Sequence, residues 1–245
     1  MLGDITDRES LRGRLDGAHT VVHLVGIIAE RGGQTFESVH VKGTQNLVDE
    51  AKRAGVKLFF YQSALGADIR SWAKYQKTKA EAEEIVKSSG IPYLIFRPSL
   101  VVGGDDGFIS KIRALIEAPS PVIPIPGSGR ARFQPIYVED WVRCFLKAID
   151  EPSYIGSTIE LGGPEHLTYI ELVTAIRDEL GSVKPLIHIP LMLVKLLAPL
   201  LGVATYEQIR LLEFDNITEI DSVKRHFGFE PMRFKDALRL FLKEG

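Results

Sequence analysis

The feature that most constrains this chain is an alternation repeated three times in its first hundred residues, in which a short apolar run gives way to an amphipathic helix. His19 to Val25 is a nearly continuous apolar run ending at Gly26, which suits a strand covered on both faces of a parallel sheet. Val39, Thr44, Leu47, Val48 and Ala51 fall near helical spacing and predict a helix over about 36–54, stopped by Gly55. Residues 56–61 read as the next strand, 71–88 as a helix ended by Ser89-Gly90, and 92–96 as a third strand. Strands that alternate with helices in this way pair in parallel through right-handed crossovers, so the expectation is an α/β fold with an open, doubly wound, Rossmann-like sheet.

The rest of the chain carries weaker rhythms. A short helix is expected over 7–15, capped by Thr6 or Asp7. Beyond Arg97-Pro98 come a helix at 108–118, a proline- and glycine-rich loop over 119–129, a helix at 138–150 and a strand near 158–161. Helices are expected near 168–180, 190–201, 205–214 and 233–243. This places a Rossmann-like unit at 1–162 and a smaller, mainly helical region at 163–245. A length of 245 residues can bury such a core.

Composition narrows the function. A formal charge of -2 gives no electrostatic footing for nucleic acid. The single cysteine, Cys144, lies among Trp141, Val142, Phe145 and Leu146 and reads as a small buried hydrophobe in a reducing compartment. The start of the chain lacks the basic-then-apolar pattern of a signal peptide, so a cytoplasmic location is expected. The apolar segment 189–204 is broken by Lys195 and Pro199 and falls short of the roughly 20 residues a bilayer span needs. It reads as a core or pocket helix, the alternative being a docking surface for a partner or for the inner face of a membrane.

One constellation carries chemistry. Tyr75 and Lys79 stand four apart on a predicted helix and therefore project from one face. An ammonium beside a phenol favours the phenolate and lowers its pKa, and a tyrosine so tuned can move a proton at a carbonyl or alcohol. Ser63 follows the preceding strand at the carboxyl end of the sheet, where open α/β proteins bind ligands and where a hydroxyl can orient the same substrate oxygen. Other polar groups have plainer readings. His23 suits a core histidine, and Asp105-Asp106 and Glu139-Asp140 suit helix starts. Arg130 and Arg132, near Gly127-Ser-Gly, suit contacts on the substrate side. His40, His166, His188 and His226 share no metal-ligand spacing, so no metal is expected.

Several stretches resemble the extended and atypical short-chain dehydrogenases/reductases. Gly3-Asp4-Ile5-Thr6-Asp7 is similar to the end of that family's third strand, which implies that Asp4 and Ile5 meet the adenine end of NAD or NADP. His23-Leu24-Val25-Gly26 resembles the segment beneath the cofactor ribose, implying contacts from Leu24, Val25 and Gly26. Tyr75-Gln-Lys-Thr-Lys79 resembles the active-site helix, in which Lys79 also holds the nicotinamide ribose. Arg97-Pro98-Ser99-Leu100-Val101-Val102-Gly103 resembles the stretch bordering the nicotinamide, implying Pro98, Ser99, Leu100 and Val101.

A narrower resemblance is to the branch of the accessory NAD(P)H-binding subunit of respiratory complex I. It rests on Val39-His40-Val41, Ser63 to Asp68, Arg132 to Val138, Leu161-Gly-Gly-Pro164 and Thr205 to Asn216. That family begins with a strand, a glycine-rich turn and a helix, and no G-x-G-x-x-G follows a predicted strand here. The sheet is therefore expected to be N-terminally truncated by about one strand–helix–strand unit, with Met1 either an internal methionine or a true start. Weakened dinucleotide binding and an exposed edge on the 19–25 strand should follow. Three functions stay open: an NAD(P)-dependent oxidoreductase or epimerase-like enzyme acting on a small molecule; a non-catalytic subunit or assembly factor of a complex, peripheral to a membrane; and a truncated inactive product.

Overall fold

The computed structural model describes residues 2–104, 107–200 and 205–242, without the side chains of 197–200. In chain order the elements are α1 (Arg8–Leu11), β1 (Thr20–His23), a π-helical turn (Glu37–Lys42) running into α2 (Gly43–Ala54), β2 (Leu58–Gln62), α3 (Lys74–Lys87) and β3 (Tyr93–Pro98). There follow β4 (Val101–Val102), α4 (Gly107–Glu117), β5 (Ile123–Pro126), β6 (Arg132–Phe133), β7 (Ile136–Tyr137) and α5 (Val138–Ile149). The chain closes with β8 (Ser157–Leu161), β9 (Leu167–Thr168), α6 (Tyr169–Glu179), β10 (Leu186–Ile189), α7 (Leu191–Leu200), α8 (Tyr206–Leu211), α9 (Ser222–Phe227) and α10 (Phe234–Phe241). No helix among the described residues is long and apolar enough to cross a membrane.

These elements form two compact units, one of Met1–Pro98 with Leu146–Glu160 and the other of Ser99–Phe145 with Leu161–Gly245. The sequence expectation set a single boundary at 162; here 99–145 group with the C-terminal residues.

The first unit is the Rossmann-like α/β part. Its sheet runs β1-β2-β3-β8, and β1 pairs with β2, and β2 with β3, in parallel. Phe59, Phe60 and Tyr61 of β2 are fully buried, as a central parallel strand covered on both sides requires. Leu47, Val48 and Ala51 of α2 and Ala82 and Val86 of α3 pack onto Val21, Phe59 and Ile95. Gly55 ends α2 in the left-handed conformation (φ 69°), as its position implied. Among the described residues β1 has a neighbour on one side only, and Val22, Leu24 and Val25 are exposed, 44–49% each. Asp7 caps α1, but the helix stops at Leu11 instead of reaching 15, because the chain turns at Gly13 (φ 74°).

The second unit is not solely helical. Its core joins Ile109, Ile112 and Ile116 of α4, Leu172, Val173 and Ile176 of α6, and Phe234, Leu238 and Phe241 of α10 around Ile123 and Ile125. Those two isoleucines belong to a strand where the sequence suggested only a loop. β5 pairs in parallel with β10, and its alternating prolines explain both the pairing and the mistaken expectation. Ile123 N and Gly127 N donate to Pro185 O and Ile189 O, while Pro124 and Pro126 have no N–H to leave unpaired on the open edge. A capping box between Thr168 and Glu171 starts α6, and another between Thr205 and Gln208 starts α8.

Candidate active site

The site is built at the carboxyl ends of β1 and β2 and on the face of α3 turned toward them. Ser71 holds the start of α3: its Oγ accepts the Ala73 N–H and donates to Gln76 Oε1 at 2.7 Å. Gln76 in turn presses on the turn at Gly66 (φ 83°), where a Cβ would sit 2.6 Å from Gln76 Nε2. From there Tyr75, Lys79 and Glu83 follow one another at intervals of four along the helix.

Lys79 is 5% exposed. Its Nζ donates to Gln62 O at 2.6 Å and stands 4.7 Å from the Tyr61 ring centroid. Burial drives its pKa down to about 7, against an opposing pull from the Glu83 carboxylate. Gly26 lies beside it, for a Cβ there would be 3.6 Å from Lys79 Nζ and 3.5 Å from His40 Nε2. The segment Leu24, Val25 and Gly26 is exposed at the end of β1.

Tyr75 departs from the expectation drawn from spacing. Its ring packs edge-on against Phe36 and His40, at 5.8 and 5.6 Å between centroids. Burial raises its pKa to about 12, the reverse of the predicted lowering. The Lys79 ammonium is engaged by a backbone carbonyl and the face of a different tyrosine, which is why its field does not prevail at the phenol. Ser63 comes off β2 with its N–H on Phe96 O and is buried. Its Oγ meets no partner in hydrogen-bond geometry, although it lies near enough to help hold the Glu83 carboxyl down. Glu83 itself receives Arg97 through Nε and Nη2, both at 2.8 Å. Burial pushes its pKa up, but the guanidinium outweighs that and the net shift is downward.

The remaining expected contacts are dispersed. Asp4 is exposed, its Oδ1 taking the Thr6 N–H and hydroxyl, each at 2.8 Å. The Ile5 side chain packs where a Gly43 Cβ would be, and its carbonyl accepts from Asn46 Nδ2. Pro98 closes β3 and accepts from Leu65 N. Ser99, Leu100 and Val101 are part of the second unit. There Ser99 Oγ donates to Asn216 at 2.7–2.8 Å, Leu100 packs on the apolar core and Val101 pairs with Ile136. Arg132, expected on the substrate side, is instead clamped to Asp215 through its backbone N–H and its guanidinium. Asp105-Asp106 lie outside the described residues.

Two residues near the site carried no functional weight in the sequence. Glu83 extends the four-residue spacing from Tyr75 and Lys79, a signal open to reading. His40 was weighed as a metal ligand and as part of the Val39-His40-Val41 resemblance, not as a site residue; its place on the buried face of the 36–54 helix was the available clue. His23 is a core histidine as expected, with Nε2 2.9 Å from Thr44 Oγ1. Burial first, then the charges of Lys79 and His40, lower its pKa to about 3.

Comparison with known proteins bears on the fold that carries these residues. A family model described as NAD(P)H-binding matches residues 1–115. The chain is 28% identical over 197 residues to "NADH dehydrogenase [ubiquinone] 1 alpha subcomplex subunit 9, mitochondrial" of Arabidopsis thaliana, covering 80% of this chain and 49% of that protein. The chain spans about half the length of the curated relatives it matches. Among solved structures, an epimerase of Methanothermobacter thermautotrophicus superposes with a TM-score of 0.77 at 21% identity, over 100% of this chain and 78% of that one. The dTDP-glucose 4,6-dehydratase of Streptomyces venezuelae, solved with NAD bound, superposes with a TM-score of 0.73 at 20% identity, over 98% of this chain and 77% of that one.

Proposed function

We propose that this chain, whose residues 1–115 match an NAD(P)H-binding family model and which is similar to the complex I subunit 9 proteins, is of the short-chain dehydrogenase/reductase kind and serves an NAD(P)-linked oxidoreduction or epimerisation of a small alcohol or carbonyl compound. The observation that carries this reading is the position of Lys79, a buried cation at the carboxyl end of two parallel strands, beside the backbone of Gly26 and an exposed apolar strip. These groups suit the ribose end of a nicotinamide dinucleotide: Leu24, Val25 and Gly26 would border it and Lys79 would donate to its hydroxyls. When bound, the nicotinamide supplies hydride transfer. Tyr75 gives or takes the proton at the substrate oxygen, and the Ser63 hydroxyl at the end of β2 orients that oxygen.

The test is NADH- and NADPH-linked absorbance change over a panel of alcohols, ketones and nucleotide sugars. Tyr75→Phe should lower the rate by about 100-fold or more. Turnover by Tyr75→Phe equal to that of the parent chain removes the reading.

The upward shift of the Tyr75 phenol, together with the subunit 9 relatives, favours a second one. There the chain binds dinucleotide without turnover, as a subunit or assembly factor of a respiratory complex, peripheral at the membrane face. Co-purification with that complex, unaffected by Tyr75→Phe, supports it.

A further inference from the structure

We infer that His40 is a positioning residue of the Tyr75–Lys79 site, fixing the rotation of α3 and tying it to the loop that leaves β1. The inference rests on the reading of that site as functional.

His40 lies in the π-helical turn ahead of α2 and is 1% exposed. Such turns add a residue to the helical repeat and often stand at functional sites. Its ring meets three separate pieces of structure. Nδ1 is 3.0 Å from Thr78 Oγ1, and Nε2 is 3.1 Å from both Ile27 N and Ile27 O. The ring also packs against Phe36 and Tyr75.

The hydrogen-bond network assigns the proton. Thr78 Oγ1 donates its only hydrogen to Lys74 O at 2.8 Å, with Tyr75 O at 3.2 Å sharing it, so toward His40 the hydroxyl can only accept. Nδ1 therefore carries the hydrogen, and bare Nε2 accepts the Ile27 N–H. Burial, with the Lys79 charge adding to it, lowers the ring's pKa to about 3, and the neutral form follows. Thr78 is three residues after Tyr75 and directly before Lys79. A bond to its hydroxyl thus holds the helical turn between phenol and ammonium, while the bond to Ile27 anchors the residue after Gly26.

The test reads Lys79 itself and needs no turnover, so it stands apart from the Tyr75→Phe assay. The full chain is acetylated with acetic anhydride at pH 8, and peptide mass spectrometry gives the rate at Lys79 relative to Lys77 and Lys87 on the same helix. His40→Phe keeps the ring but loses both bonds, and the Lys79 ratio should rise about tenfold as its cover opens locally. His40→Asn keeps a donor at the Nδ1 position for Thr78, and its ratio should stay within about twofold of the parent. An unchanged ratio in His40→Phe overturns the inference. So does an equal rise at Lys87, or an equal loss of the thermal transition in both variants, since either would make His40 a general packing residue.

Discussion

Among the described residues the first unit buries His23, His40, Thr44, Glu50, Ser63, Thr78, Lys79, Glu83 and Ser89, whereas the second buries only Gln134 and Ser222 among polar side chains. The polar groups of the second unit tie backbone together. Gln134 donates to Gly163 O and Glu219 O and accepts from Thr218 N, and Ser222 Oγ accepts from Gly162 N. In the first unit His23 bonds to Thr44 and His40 to Thr78 across elements, and its buried polar groups include ionisable ones whose proton affinity the fold has moved. A unit assembled only for stability gains little from a buried ammonium, because desolvation of the charge opposes folding. The contrast places the displaced ionisable groups of the candidate site in the first unit.

Three measurements would break or sharpen that contrast. The largest effect is expected at Glu83, 1% exposed and bonded twice to Arg97. Glu83→Ala leaves a part-buried guanidinium with only its longer contact to Glu160, at 3.7 Å, and should cost about 3 kcal/mol in urea unfolding. The folded pKa of Glu83 lies below its unfolded value of about 4.3, so its contribution is full above that pH and fades as pH falls through the folded pKa. The parent chain should lose stability there, and Glu83→Gln should lack that part of the slope.

Next comes Gln134→Leu in the second unit, which strands one N–H and two carbonyls for about 2–3 kcal/mol. A loss larger than that at Glu83 would reverse the order of the two units. The smallest effect has the opposite sign. Lys79→Met should stabilise the chain by about 1–2 kcal/mol at pH 6, where folding must desolvate a charge. Because the folded pKa is lowered to about 7 and the unfolded one is about 10.4, the parent regains stability as pH rises between them, and the advantage of the methionine shrinks over that window. A flat difference across that range would show that Lys79 is no more strained than the second unit's polar groups.

Much of the first unit was legible because its signals are local. The run from His19, the spacing of Leu47, Val48 and Ala51, and Gly55 gave β1, α2 and its end to within a few residues. The candidate pair Tyr75 and Lys79 was legible for the same reason, since helical spacing alone places both on α3. The direction of the Tyr75 shift was not, because it depends on Phe36 and His40 arriving from another part of the chain. The strands β5 and β10 were hidden for a related reason. Prolines mark turns in a local reading, and only the partner strand shows that their missing N–H groups face outward.

Gly162 and Gly163 leave β8 beside Gln134 and Pro135. A Cβ on Gly163 would fall 1.8 Å from Pro135 O, and one on Gly162 2.2 Å from the Gln134 side chain. At Gly163 two lengths of main chain thus share a space that admits no side chain. The Leu161-Gly-Gly-Pro164 string accordingly reports a close approach of backbones at Gly163, a packing requirement that holds whether or not the chain ever meets a substrate.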